Sequence, residues 1–203
     1  MYPLSAENGT PRMNRALVVG GAAALVLLAF SGARCAPRAV RGVLDDGRSG
    51  VEGPATLTPT SHTEAFRLLG GAFEDASGTR PSADALAMLA AQSAVETAGW
   101  KKMHRWNFGN ITTKTGPFFR LVNDTAHKYR IYQSAEDGAR ALVELLRDHY
   151  PEAWRLLGAD DVRTYAEALK SRGYYEASPA EYAIALRSWY PSFRAVTQGQ
   201  GNA

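Results

Sequence analysis

The segment Ala90–Thr112, with the sequence AAQSAVETAGWKKMHRWNFGNIT, contains a single carboxylate, Glu96. Leu89 and Ser93 precede it at helical intervals, which marks one buried face of a helix, and Glu96 continues that series. Gly99 stands where a glycine commonly ends a helix. The pattern therefore predicts an acidic side chain on the inner face of a helix, close to its C-terminus.

A carboxyl group in that position is suited to proton transfer. Burial disfavours its charged form, and the negative end of the helix dipole does the same. Both effects raise its pKa toward the value that a general acid needs near neutral pH. The nearby Lys101, Lys102 and Arg105 act in the opposite direction. From the spacing alone, Glu96 is either such an acid or a solvated glutamate at the end of a helix.

The elements that must position this side chain are about six helices and one small hairpin, a mainly α (α+β) domain. Three of the helices open with a serine that has an acid three residues later, the pattern of a capping box. The two strands are short runs rich in aromatic residues. The predicted helices cover residues 61–73, 83–98, 134–147, 152–157, 161–171 and 179–189, and the predicted strands cover residues 117–122 and 127–132.

The predicted hairpin supplies further candidate site residues. Phe118, Tyr129 and their aromatic neighbours form either a wall on which sugars stack or a part of the hydrophobic core. Asp124 is the only acid between Thr112 and Tyr132, and an Asn-Asp sequence is common in turns. We therefore expect Asp124 at a solvated turn, unless it swings toward the site as a second acid.

The composition argues against several classes of function. The chain has a formal net charge of +3, and residues 60–194 hold 17 Lys and Arg against 16 Asp and Glu. This balance disfavours a strongly basic nucleic-acid-binding face on the globular part. No His, Cys or Asp cluster has metal-ligand spacing, and no glycine-rich phosphate loop occurs. We expect no metal, no organic cofactor and no nucleic-acid partner.

The N-terminal sequence differs from the rest of the chain. Residues 16–33 carry no charge and follow a polar stretch that contains Arg12 and Arg15, which is typical of a signal peptide or a short membrane anchor. Cys35 is the only cysteine, so an intramolecular disulfide is excluded. Arg34 stands where a lipidated cysteine needs a small residue before it, which disfavours lipidation.

These features divide the chain into four parts. The stretch after the apolar run is rich in Arg, Gly, Pro, Ser and Thr and shows no sustained apolar period, as expected of a linker. We predict a signal peptide or membrane anchor at residues 1–33, a flexible linker at 34–59, a globular domain at 60–195 and a disordered tail at 196–203.

Four segments resemble, in the same order, the sequence blocks of one enzyme family. Residues 91–100, AQSAVETAGW, resemble the Ala-Gln-x-Ala-x-Glu-[Thr/Ser]-Gly-Trp signature of the peptidoglycan-cleaving β-N-acetylglucosaminidases, the group that includes flagellar rod muramidases and autolysins. Residues 107–111, NFGNI, are similar to its Asn-x-Phe-Gly-Ile block. Residues 129–134, YRIYQS, and 173–183, GYYEASPAEYA, are similar to its Phe-Arg-x-Tyr-x-Ser and Gly-Tyr-Ala-Thr-Asp-Pro-x-Tyr-Ala blocks.

The resemblance implies a lysozyme-like fold and a peptidoglycan hydrolase of the endo-β-N-acetylglucosaminidase type. Glu96 would be the general acid that protonates the glycosidic oxygen, and the tyrosines of the last block would orient groups or stabilise the developing cation. The substrate would be the glycan strand, and the protein would be exported or anchored in the inner membrane, facing the periplasm or cell envelope. The expected catalytic residues are Glu96, Asp124 and Tyr174, and the expected substrate-binding residues are Trp106, Asn107, Phe108, Phe118, Tyr129 and Tyr182.

The sequence also departs from the family pattern, and other functions stay open. Ala98 is inserted before Gly99, Asn110 separates Gly109 from Ile111, and the hairpin offers no second acid besides the turn aspartate. A two-carboxylate mechanism needs such an acid. The alternatives are assistance by the substrate's acetamido group, muramidase or lytic transglycosylase chemistry, a catalytically weak or inactive glycan-binding or envelope-assembly module, and a phage lysin.

Overall fold

A computed structural model of the chain describes residues 50–200. This part contains seven helices and one antiparallel hairpin, so the predicted mainly α (α+β) architecture is confirmed. The helices are α1 (His62–Ser77), α2 (Ala83–Thr97), α3 (Ala135–His149), α4 (Pro151–Leu156), α5 (Val162–Ser171), α6 (Pro179–Arg187) and α7 (Tyr190–Gln200), and the strands are β1 (Phe118–Leu121) and β2 (Asp124–Arg130).

The capping residues that the sequence indicates define where the helices begin. Ser61 accepts a hydrogen bond from the Glu64 amide at the start of α1. Ser178 and Glu181 form the complete reciprocal capping box at the start of α6. Each such bond satisfies an amide that the first turn of a helix otherwise leaves without a partner.

The helix ends are less well predicted than the starts. α1 runs on to Ser77, beyond the predicted end at residue 73, because Gly70 and Gly71 are accommodated inside the helix. A seventh helix, α7, covers residues that the sequence assigns to the end of the domain and to a disordered tail. It forms because Phe193 is buried in the core cluster, which holds α7 against α2.

The core is built around α2. Ala87, Met88, Leu89 and Ala90 are completely buried, as are other small residues of this helix. Helices α1, α6 and α7 all contact it. Small side chains on several faces of α2 let the neighbouring helices approach closely, and for this reason nearly the whole helix is inaccessible to solvent.

The hairpin is irregular and receives an extra chain segment. Phe119 lies opposite Tyr129, and the register shifts between Phe119 and Leu121. Residues 50–53 pair with the edge of β1 that β2 does not occupy. The Gly53 amide donates a hydrogen bond to the Phe118 carbonyl at 2.8 Å. Residues 50–59, which the sequence assigns to the linker, thus lie along the domain and make backbone hydrogen bonds with it.

The predictions for residues 1–33, for Cys35 and for most of the linker concern positions outside the described residues. Within residues 50–200, no helix has both the length and the apolar character needed to cross a bilayer.

Two helical glycines allow a matched test of packing. A Cβ atom on Gly138 would lie 1.7 Å from the Trp106 carbonyl oxygen, whereas a Cβ on Gly71 would meet nothing within 4 Å. We expect Gly138→Ala to lower the free energy of unfolding by about 2–4 kcal/mol, because backbone must shift. Gly71→Ala should raise it by about 0.5–1 kcal/mol through helix propensity. Urea unfolding of both variants checks this, and equal effects would contradict the close approach of α3 to residue 106.

Candidate active site

Glu96 lies in the last turn of α2 and is buried, with 9% of its surface exposed. This position shows that the side chain is not a solvated glutamate at the end of a helix. The helix ends one residue later, at Thr97, and Ala98 adopts the left-handed conformation at φ 52°. Gly99, the predicted end, is also left-handed and sits against the Trp189 ring.

The two oxygens of the Glu96 carboxyl group have different surroundings. Oε1 accepts a hydrogen bond from the Tyr182 hydroxyl of α6 at 2.9 Å. Oε2 is buried and makes no hydrogen bond to any residue in the described part of the chain. A protonated carboxyl group therefore carries its proton on Oε2, because Oε1 is already used as an acceptor. The arrangement leaves one acidic O–H group without a protein acceptor.

Burial raises the pKa of Glu96 to about 8, although the hydrogen bond from Tyr182 acts to lower it. The charged form loses its hydration shell in this environment and is only partly compensated. Glu96 is therefore a carboxylic acid at neutral pH, which is the protonation state that a general acid requires.

A polar network lies behind Glu96. Gln92, one helical turn earlier on α2, accepts a hydrogen bond from the Tyr165 hydroxyl of α5. Tyr174 is fully buried, and burial together with the charge of Glu96 raises the pKa of its hydroxyl well above the usual value. Tyr174 is thus a neutral phenol next to the acid, in a cluster with the Tyr182 ring at 6.5 Å between ring centroids.

The loop that follows α2 is tied to the helix by its own side chains. Ser93 donates a hydrogen bond to the Phe108 carbonyl at 2.8 Å and accepts one from the Trp100 indole at the same distance. Asn110 donates from its side chain to the backbone carbonyl of Glu96. Asn110 is the residue that departs from the family pattern, and here it closes the loop onto the acid.

Asp124 is not at a solvated turn. It is the first residue of β2 and only 8% exposed. The Tyr129 hydroxyl donates to its Oδ2 at 2.6 Å, and His127 Nδ1 lies 2.8 Å from its Oδ1. Burial alone would raise the pKa of Asp124, but the hydrogen bonds from Tyr129 and His127 outweigh it and hold the pKa below its usual value. No hydrogen bond joins Asp124 to Glu96 in residues 50–200.

The predicted sugar-binding residues are mostly core residues. Asn107 is fully buried and fixes the loop, since its side chain donates to the carbonyls of Ile111 and Arg130 at 3.0 and 3.1 Å. Phe108 belongs to the hydrophobic core, and Tyr182 is buried at the acid. Phe118 and Tyr129 are buried as well, and only Trp106 is partly exposed.

The roles of some residues in the site could not be predicted from the sequence. Tyr165 is remote from Glu96 along the chain, and only the packing of α5 reveals its bond to Gln92. His127 is paired with Asp124, and only the folded hairpin shows this contact. Only Gln92 has a local signal, because it precedes Glu96 by one helical turn.

No metal-binding group of three or more His, Cys, Asp or Glu side chains occurs among residues 50–200.

Comparisons with known proteins give two structural matches. A scan against protein-family models and a search of curated proteins find no match. Among solved structures, the chain is similar to the glycoside hydrolase domain of Salmonella typhimurium FlgJ, with 21% identity, a TM-score of 0.48, and coverage of 70% of this chain and 94% of that one. It is also similar to a variant of a peptidoglycan hydrolase from Sphingomonas sp. A1, with 22% identity, a TM-score of 0.49, and coverage of 68% and 96%.

The first of these proteins is described as a glycoside hydrolase domain and the second as a peptidoglycan hydrolase.

The buried acid makes a prediction about stability and pH. Folded Glu96 keeps its proton up to about pH 8, whereas an unfolded glutamate loses it near pH 4.5. Between these values the folded state binds more protons, so stability falls as the pH rises through this window. Relative to Glu96→Gln, we expect the parent to lose on the order of 3 kcal/mol of unfolding free energy between pH 5 and pH 8.5.

Urea unfolding at the two pH values measures this difference. Glu176→Gln, at an exposed position, is the control and should leave the pH dependence of the parent unchanged. A Glu96→Gln variant with the same pH dependence as the parent would show that the acid is ionised in the folded state at neutral pH.

Proposed function

We propose that the protein is a peptidoglycan hydrolase of the endo-β-N-acetylglucosaminidase type, with Glu96 as its general acid. The observation that carries the proposal is the buried Glu96 carboxyl group, which has one oxygen held by Tyr182 and the other buried without a partner. The four sequence blocks that resemble this family supply the substrate class.

In the proposed reaction, Glu96 transfers the proton from Oε2 to the glycosidic oxygen as the bond from that oxygen to the anomeric carbon breaks. The bonding electron pair stays on the leaving oxygen, which becomes a hydroxyl group. Tyr182 continues to donate to Oε1 and stabilises the carboxylate that forms. Because Oε2 is buried, the Glu96 side chain or the adjacent loop must move before a glycosidic oxygen can reach it.

The contacts of Asp124 support a reaction in which no second protein carboxylate acts after the glycosidic bond has broken. Both oxygens of Asp124 already accept hydrogen bonds within the hairpin, from His127 and Tyr129. The acetamido oxygen of the substrate can instead bond to the anomeric carbon. Water then adds to that carbon as the bond from the acetamido oxygen breaks, which restores the acetamido group, and the water gives a proton to Glu96. Asp124 acts in this proposal as a structural residue of the hairpin.

Tyr174 keeps a supporting role in the proposal. Its phenol is neutral and lies beside the acid, where it can orient Glu96 or stabilise positive charge on the sugar. Trp106 is the remaining candidate for contact with the sugar, because its side chain is partly exposed. With an N-terminal signal or anchor, the protein would act on glycan strands in the cell envelope.

A digestion experiment tests the proposed activity. Purified peptidoglycan is incubated with the full chain or with Glu96→Gln, and the fragments are identified by mass spectrometry. We expect reducing N-acetylglucosamine ends from the parent and a loss of about 10²–10⁴-fold in rate for the variant, which is the usual contribution of a general acid. Retained activity in Glu96→Gln would exclude this residue as the acid.

The chemistry of the fragment ends separates the alternatives. Reducing N-acetylmuramic acid ends would identify a muramidase, and anhydro ends a lytic transglycosylase. Glycan binding without fragments, from a folded chain, would favour the binding or assembly module.

Asp124→Asn tests the single-carboxylate mechanism. If Asp124 only holds the hairpin, we expect the variant to keep most of its hydrolytic rate and to lose about 1–3 kcal/mol of stability from the weakened bonds with His127 and Tyr129. The same digestion assay and urea unfolding measure the two effects. A loss of hydrolysis as large as that of Glu96→Gln, in a folded protein, would restore Asp124 as a second catalytic carboxylate.

Tyr182→Phe tests the hydrogen bond to the acid. The Tyr182 hydroxyl lowers the pKa of Glu96 by stabilising its charged form, so its removal should raise that pKa further. We expect the activity of the parent to fall as the pH rises past about 8, and this fall to move to higher pH in the variant. A pH profile of the cleavage rate checks this, and an unmoved or lowered alkaline limb would contradict the assigned bond.

A further inference from the structure

The charge of the described chain is unevenly distributed. We call residues 98–133, which comprise the loop after α2 and the hairpin, the hairpin lobe. The lobe has seven Lys and Arg and one Asp, a net charge of +6, whereas the remaining described residues have ten Lys and Arg and sixteen Asp and Glu, a net charge of −6. The cations of the lobe are Lys101, Lys102, Arg105, Lys114, Arg120, Lys128 and Arg130.

The two groups of cations also differ in their partners. On the helices, seven of the ten Lys and Arg form ion pairs with nearby acids, as in Arg155 with Glu152 at 2.9 Å and Arg163 with Glu167 at 2.9 Å. On the hairpin lobe, only Arg120 has an acid within 4.0 Å, at 3.8 Å, among residues 50–200. The lobe therefore presents positive charge that no acid in the described part neutralises.

Several of these cations are held in place, and others project into solvent. Lys128 and Arg120 lie over the Phe118 ring at 4.8 and 5.3 Å from its centroid. Lys101 and Lys114 are exposed. The lobe thus combines fixed and mobile cations on one structural unit.

The hairpin lobe is continuous with the site of Glu96. It begins two residues after the acid, and Asn110 joins it to the Glu96 carbonyl. Within the lobe, the Tyr132 amide donates to the Arg105 carbonyl at 3.2 Å, and the Thr113 amide donates to the Lys128 carbonyl at 2.8 Å. The loop that carries Lys101, Lys102 and Arg105 therefore starts at the end of the helix that holds Glu96.

We propose that the hairpin lobe binds the carboxylate groups of the stem peptides that substitute the glycan strand. This inference rests on the proposed function and narrows its substrate class to peptide-bearing strands. In a peptide-bearing strand, the lactyl carboxyl group of each N-acetylmuramic acid is an amide, so the sugars are uncharged and the negative charges lie on the stem peptides. The cations are spread over a loop and two strands, which suits carboxylates distributed along a polymer better than one phosphate group in a single cradle.

The test uses the full chain with Glu96→Gln, so that binding is measured without cleavage. Lys101→Gln, Lys102→Gln and Lys114→Gln are combined to remove three exposed charges from the lobe. The matched control combines Arg155→Gln, Arg163→Gln and Arg187→Gln, which removes the same charge from exposed positions on the helices. Binding is measured by sedimentation with sacculi free of wall phosphate polymers and with chitin, a β-1,4-linked N-acetylglucosamine polymer that has no carboxylates.

We expect the lobe variant to bind intact sacculi about tenfold more weakly than its parent at low salt, since exposed charge pairs contribute roughly 0.2–1 kcal/mol each. The difference should shrink at high salt. The control should bind as its parent does, and all three proteins should bind chitin equally. Equal losses in lobe and control variants, or an equal loss on chitin, would overturn the proposal.

Two further results would also decide the question. If the lobe variant loses binding only to sacculi that carry phosphate polymers, the partner is the phosphate polymer and the stem-peptide proposal is wrong. If the active parent binds in a peptide-dependent manner but releases no fragments, the charge proposal stands and the hydrolase proposal fails.

Discussion

The hydrogen bond from Tyr182 to the buried carboxyl group of Glu96 connects two helices that are far apart in sequence. Burying a carboxyl group is costly unless it is protonated or well hydrogen-bonded. Here protonation largely removes this cost, because Oε2 has no hydrogen-bond partner among residues 50–200. Helices α2 and α6 and the tyrosines that stack beside α6 surround this group. They exclude water from it and keep it neutral.

The loop after α2 is the least relaxed part of the backbone. Ala98, Trp100, Arg105, Trp106 and Asn110 have positive φ angles without being glycine. Each such residue costs of order 1 kcal/mol or more, and such residues persist only where surrounding contacts fix them. The buried side chains of α2 and the indole of residue 100 provide those contacts. Backbone strain is therefore concentrated beside the buried acid, where a fixed geometry is useful.

Charge is separated between the two parts of the domain. The arginines of the helices are largely neutralised by acids one turn away, so the helical body contributes little to recognition of charged partners. The hairpin lobe has few acids and keeps its positive charge exposed. The net charge of the described residues is therefore close to zero although positive and negative charges are concentrated in different parts. The positive part follows the proposed catalytic residue in the chain.

Local sequence patterns were sufficient for several features. The serine caps, the two aromatic strands and the helical periodicity before Glu96 all depend on residues within a few positions of one another, so they could be read correctly. The sequence also placed Glu96 on the inner face of α2. Helix ends were less predictable, because α1 and α7 continue where tertiary contacts favour them over local propensity.

By itself, the sequence determined the mainly helical architecture, the candidate acid and the charge of each segment, since these follow from residue type and short-range spacing. Only the tertiary structure decided that Glu96 is protonated, that Asp124 is held by Tyr129 and His127, and that Phe108 belongs to the core. Those outcomes depend on burial and on partners from distant elements. Desolvation and long-range hydrogen bonds arise only when the chain is folded, and no local pattern records them.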